Sequence, residues 1–179
     1  QQQDDFSGAV LFAGEAYNVV VENYDCVHPQ VQEAAGMLID CLIQKGDLVN
    51  AERFSQQTYE NIRDRKNGMD QEGEEVALGS YNLANVIHRQ NGDLLKAEKL
   101  AREALRIRSF IYRSDDHMIG ASCDLLARIL QSQGKFEDET KRLFERSLAI
   151  FIRYEGPDGR NTAMAIMNIG LYYLELARI

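Results

Sequence analysis

Apolar residues return along this chain at helical intervals, and the best-formed example is Leu94, Ala97, Leu100, Ala101, Ala104 and Leu105. Their spacing of i, i+3, i+6, i+7, i+10 and i+11 puts them on one face of an α-helix. They belong to the stretch 81–113, which Gly92-Asp93-Leu94 breaks into two amphipathic helices. Gly46-Asp47-Leu48 and Gly134-Lys135-Phe136 punctuate the chain in the same way, 46 and 42 residues from it. The glycine is expected to supply the backbone dihedral that ends each first helix. Asp47 and Asp93 are natural caps for the helices that follow.

The residues around these fixed points repeat as well. Ala follows at five residues (Ala51, Ala97), an apolar residue at eight (Phe54, Leu100), then a small residue with Tyr or Leu (Thr58-Tyr59, Ala104-Leu105). One extra residue is expected after Gly134, which puts Thr140 in the place of Ala. Setting Asp4 in the glycine position yields Phe6, Ala9, Phe12, Ala16 and Tyr17, so the chain opens on a second-type helix. Small residues let a neighbouring helix approach while larger ones fill the gaps beside them.

Eight helices are predicted, at 5–24, 29–45, 47–66, 71–91, 93–113, 116–133, 135–154 and 159–177, and no segment alternates as a strand does. The connections between hairpins are polar and turn-prone: Asp25-Cys26-Val27-His28-Pro29, Lys66-Asn67-Gly68-Met69-Asp70, Ser114-Asp115-Asp116-His117 and Glu155-Gly156-Pro157-Asp158-Gly159.

Three of these features resemble a known family. They are Leu125-Leu126-Ala127-Arg128-Ile129-Leu130 before Gln133-Gly134-Lys135-Phe136, Arg146-Ser147-Leu148-Ala149-Ile150 after it, and Glu155-Gly156-Pro157-Asp158 leading to the next helix. Together with His28-Pro29 at an inter-repeat turn, they resemble a tetratricopeptide repeat (TPR) array in its longer-repeat form, that of kinesin light chains and related adaptors. The resemblance spans essentially the whole chain. It implies an all-α, right-handed superhelical solenoid of antiparallel helix hairpins. One array would run over 1–179, as a half repeat 1–28, repeats at 29–70, 71–115 and 116–158, and a half repeat 159–179. In such arrays each repeat buries surface mainly against its sequence neighbours.

The net charge of −8 argues against nucleic acid and anionic membranes, because such binding rests on Lys and Arg neutralising phosphates. No run approaches the roughly 18 apolar residues that cross a bilayer, so a soluble chain is expected. Cys26, Cys41 and Cys123 are odd in number and widely spaced, which favours reduced thiols and leans toward the cytoplasm. The chain opens Gln1-Gln2-Gln3 with no initiating Met and is read as a mature product or a fragment.

Candidate chemistry is sparse. His28, His88 and His117 share no metal-ligand spacing, and Cys26-x-His28 reads as a solvated turn. Cys41 and Cys123 read as packing residues. Gly156-Pro157-Asp158-Gly159 lacks the Lys of a phosphate loop, and Asp70, Glu72, Glu74 and Glu75 lack the alternation of a calcium loop. Lys96, Lys99, Arg102, Arg106, Arg108 and Arg113 are expected to form a basic outer face. The reading is no enzyme, no cofactor, no metal and no small-molecule substrate.

Two sets of residues remain as candidate surfaces. The family resemblance implies that first helices line a groove for partner peptides, and their polar positions here are Asn82, Asn85, Arg89, Asp124, Arg128, Gln131 and Asn168. The second set lies at the ends, where a lone second-type helix and a lone first-type helix complement each other. Phe6, Val10 and Phe12 of one molecule are expected to pack on Ile169, Tyr172, Tyr173 and Leu176 of the next, giving a filament or tube. The alternative is a peptide-binding adaptor cut from a longer array.

Overall fold

The structure, a computed structural model, describes residues 2–65 and 72–179, with side chains from residue 6 onward. The expected turn at 66–70, with Asp70 of the acidic stretch, lies outside the described residues. The described elements are all helices: α1 (Gln2–Asn23), α2 (Pro29–Lys45), α3 (Leu48–Arg65), α4 (Glu74–Arg89), α5 (Leu94–Ile111), α6 (His117–Ser132), α7 (Asp138–Glu155) and α8 (Arg160–Leu176). They divide into two compact units, Gln1–Gly92 and Asp93–Ile179.

In the first unit α2 packs against α1, α3 and α4. Ile39, Leu42, Ile43, Ala51 and Val86 form its core, with Val10, Leu38, Leu48 and Phe54 partly buried around them. Tyr17 of α1 meets Phe54 of α3 edge-on at 4.9 Å. In the second unit α6 packs against α5, α7 and α8, and α7 also packs against α8. Cys123, Leu126, Ile129 and Leu130 of α6 and Phe144 and Phe151 of α7 are buried there.

Helix ends follow local chemistry. Asp93 caps α5 by accepting from Lys96 N at 3.0 Å, Asp116 caps α6 through Met118 N at 2.8 Å, and His28 caps α2 through Gln30 N. Asp47 accepts from Asn50 N and Asn50 Nδ2, which holds its carboxyl below the usual range. α4 begins three residues later than expected, with Glu74 and Glu75 in its first turn, where the helix dipole favours them.

One finding resets the repeat register. The residues with positive φ at the ends of first helices are Gly46 (81°), Asn91 (52°) and Gly134 (73°), and Gly92 is not among them. The same hydrogen-bond pair closes each helix: Asp47 N to Leu42 O, Gly92 N to Ile87 O and Lys135 N to Leu130 O, each preceded by a bond that spans three residues, from Gly46 N to Ile43 O, Asn91 N to His88 O and Gly134 N to Gln131 O. This is the Schellman closure, in which Asn is the usual substitute for Gly. The fixed points are therefore 45 and 43 residues apart. Ala97 and Thr140 then both lie six residues on, so the extra residue expected only after Gly134 belongs to both later hairpins. Thr140 is buried at its small-residue position because its hydroxyl donates to Lys135 O at 2.8 Å.

Candidate protein interface

The corrected register allows each helix face to be compared with its counterparts. Second helices bury the same pattern: Thr140, Leu143, Phe144, Ser147, Ile150 and Phe151 in α7 repeat the spacing of Ala97, Leu100, Ala101, Ala104, Ile107 and Arg108 in α5. In α1 that pattern falls on Ala9, Phe12, Ala13, Ala16, Val19 and Val20. Ala13 is buried and Val20 half-buried, but Ala9, Phe12, Ala16 and Val19 are exposed. The exposure reaches 68% at Phe12 and 61% at Val19, where α7 has buried Leu143 and Ile150.

First helices behave likewise. Gly120, Cys123, Ala127 and Leu130 form a buried stripe on α6. Forty-three residues on, α8 carries Ala163, Ile166, Gly170 and Tyr173, all exposed, with Ile166 at 52% and Tyr173 at 46%. A Cβ built on Gly120 would lie 3.0 Å from Ile150 Cγ2, whereas one on Gly170 would meet nothing within 4 Å. The face that α6 turns to α7 is thus open on α8.

This arrangement corrects the expected end residues. Tyr172 is 2% exposed and belongs to the interior of its own unit, packed on Phe136 and Phe144 with its hydroxyl donating to Phe136 O. Val10 and Ile169 are half-buried, Val10 against the first unit's core. Phe6, Phe12, Tyr173 and Leu176 are exposed. Ala163, Ile166 and Gly170, absent from the expected set, carry a sequence signal in their 43-residue offset from Gly120, Cys123 and Ala127.

The groove candidates divide between the units. On α4, Asn82 and Asn85 are half-buried and Arg89 is exposed. On α6 and α8 the polar residues pair with one another: Asp124 accepts from Arg128 Nε and from Asn168 Nδ2, both at 2.8 Å, and Gln131 Nε2 donates to Glu175 at 2.7 Å. A bond not foreseen from sequence recurs in each unit, Gln90 donating to Leu48 O in the first and Gln133 to Leu94 O at 2.8 Å in the second.

The basic face of α5 is smaller than expected. Arg108 is 1% exposed and turned inward, with Nη1 donating to Ser122 Oγ at 3.0 Å. Arg102 is drawn into a bidentate pair with Glu139 at 2.6 and 2.9 Å and also meets Glu98. Cys26 lies beside Asp25 at the end of α1, and Cys123 is buried, which pushes its thiol up to about 11. His28 stacks on Tyr24 and His117 on Tyr154. Among the described residues no three His, Cys, Asp or Glu side chains cluster as a metal site, and no helix is long and apolar enough to cross a membrane. An open trench of about 550 Å³ between α1 and α3 is floored by Val10, Leu42 and Phe54 and holds no cysteine, histidine or serine.

No protein-family model and no curated protein matches the sequence. Solved structures do. Two crystal structures of a Podosopora anserina kinesin-light-chain-like protein with nearly identical TPR-like repeats, one of them a point variant, superpose with TM-scores of 0.72 and 0.70. Each is 18% identical and covers 99% of this chain and 82% of the other. BtubC (BKLC) from P. vanneervenii superposes with a TM-score of 0.65 at 20% identity, over 97% of this chain and 65% of its own. The chain has the all-α TPR-like repeat fold of these proteins.

Proposed function

From a TPR-like repeat fold with an open face on its first and last helices, we propose a non-enzymatic protein-interaction scaffold that joins copies of itself end to end. The reading takes 1–179 as one array, half repeat to half repeat. The observation that supports it is the exposure of Ala163, Ile166, Gly170 and Tyr173 on α8 and of Ala9, Phe12, Ala16 and Val19 on α1. Each set occupies positions that the α6–α7 hairpin buries. One face asks for a second helix and the other for a first helix. A further copy of the chain supplies both.

The contact joins two different surfaces, so it propagates unless the rotation closes a ring. Burial of large side chains such as Phe12, Val19, Ile166 and Tyr173 is worth about 1.5–3 kcal/mol each before association costs are subtracted. Further repeats in a longer chain would cover the same faces, and the adaptor reading then applies.

Charge placed on one face at a time tests the proposal. Phe12→Asp closes the α1 face and Ile166→Asp closes the α8 face. Each variant alone is expected to run as a monomer in size-exclusion chromatography, and their mixture as a dimer that grows no further. Variants that keep the wild-type particle size would overturn the proposal. A Phe12→Asp chain that still dimerises would show symmetric α8–α8 pairing instead.

A further inference from the structure

Resting on the end-to-end reading, we infer that the junction reproduces the register of the α6–α7 hairpin. Ala163 of one molecule then lies against Val19 and Val20 of the next. The internal hairpin sets this register. Gly120, near the start of α6, faces Ile150 and Phe151 near the end of α7. The 43-residue spacing of first helices carries Gly120 to Ala163, and the shared burial pattern of second helices carries Ile150 and Phe151 to Val19 and Val20.

Side-chain size agrees with this register at every step. Antiparallel helices in the same phase as Gly120–Ile150 pair Cys123 with Ser147, Ala127 with Leu143 and Leu130 with Thr140. The junction then pairs Ala163 with Val19, Ile166 with Ala16, Gly170 with Phe12 and Tyr173 with Ala9. Each large residue meets a small one, as close helix packing requires. A shift of one helical turn along either stripe sets Phe12 against Ile166 or Tyr173 and breaks that alternation.

A second observation fits the same phase. Within the second unit, Asp124 of α6 bonds to Asn168 of α8. The counterpart of Asp124 on α8 is Met167, and the 43- and 45-residue spacings make Met37 on α2 the counterpart of Asn168. Met167 and Met37 are both exposed. A polar contact between neighbouring first helices inside the chain thus becomes an apolar one across the junction, where Met adapts to imperfect packing.

Disulfide trapping tests the register. Gly120 offers a reference geometry, because its built Cβ lies 3.4 Å from Ile150 Cβ, near the roughly 3.5–4.5 Å span of a disulfide. Two chains are prepared in a Cys26→Ser, Cys41→Ser background, one carrying Ala163→Cys and the other Val19→Cys. Circular dichroism and light scattering establish that each folds and assembles. Mild oxidation with a disulfide reagent is expected to convert up to about half of the chains in the mixture to covalent dimer, since about one junction in four of a random mixture sets the two cysteines together, and to link neither chain alone. Ala163→Cys mixed with Phe12→Cys, two turns away, should give at least tenfold less. Particles that assemble but trap only the Phe12→Cys pair, or neither, overturn the register and leave end-to-end joining intact. A wild-type chain that forms no particles overturns both.

Discussion

Glu155 does at the start of α8 what a capping side chain does elsewhere. The N-cap position is Gly159, which has no side chain to offer, and Glu155 folds over it so that Oε1 accepts from Thr162 N at 2.6 Å and Oε2 from Asn161 Nδ2. A Cβ on Gly159 would stand 2.2 Å from Glu155 Cγ. Gly159→Ala should therefore displace the carboxylate and destabilise the fold by about 1–2 kcal/mol, the usual cost of losing a cap. Hydrogen exchange should locate the loss in the first turn of α8. The three hairpin loops give a second prediction. Gly46→Ala and Gly134→Ala force an L-residue into left-handed backbone at a cost of about 1–2 kcal/mol. Gly92→Ala should be close to neutral, since its φ is not positive and a Cβ there meets only ordinary contacts at 3.4 Å. Urea unfolding of the three variants compares them directly. The glycines were legible as punctuation, but which residue of Asn91-Gly92 turns left-handed was not. Both types tolerate that conformation, and the choice rests on where α4 runs out of hydrogen-bond partners.

At the scale of elements, the charges of α5 and α7 form a network. Arg102 bridges Glu98 and Glu139, and Lys135 donates to Glu98 at 2.8 Å. Hydrogen bonds from Arg102 hold Glu139 below the usual glutamate range. Burial alone would raise Glu98, and the bonds from Lys135 and Arg102 outweigh it and leave it lowered as well. Depressed carboxylates stabilise the fold above their unfolded pKa, and that stabilisation is lost as pH falls through the folded value. Arg102→Met should cost about 0.5–1 kcal/mol at neutral pH, because the ion pairs are half-exposed. The difference from wild type should vanish in urea titrations below the glutamate range; a gap that persists in acid would mean that Arg102 acts through packing. The eight helices themselves were readable, because apolar period and turn residues both marked them. The charge of Arg108 sets it among the outer cations, although its spacing from Ala101 and Ala104 puts it on the buried face. That charge points to solvent, and hydrogen bonds to the Ser122 hydroxyl and to Met118 O help to accommodate it inside the unit.

At the scale of the whole molecule, the sequence leads one to expect terminal helices of opposite type, and among the end residues it suggests, Tyr172 is buried. Tyr172 and Tyr173 are adjacent, and one residue turns a helix by about 100°. Packing on Phe136 and Phe144 decides that Tyr172 points inward and Tyr173 outward. The hairpin pattern fixes the phase of Phe12, which is exposed on α1, whereas no such pattern constrains α8 in the sequence. The polar positions of α4, α6 and α8 are visible in the sequence, but the pairing of Asp124 with Asn168 and Gln131 with Glu175 depends on how α6 and α8 approach. The open faces now carry the functional account, and the most direct test is multi-angle light scattering of the wild-type chain over a range of micromolar concentrations. End-to-end joining predicts a mass that climbs with concentration through multiples of 20.3 kDa. A mass fixed at 20.3 kDa across concentration, salt and pH would contradict it.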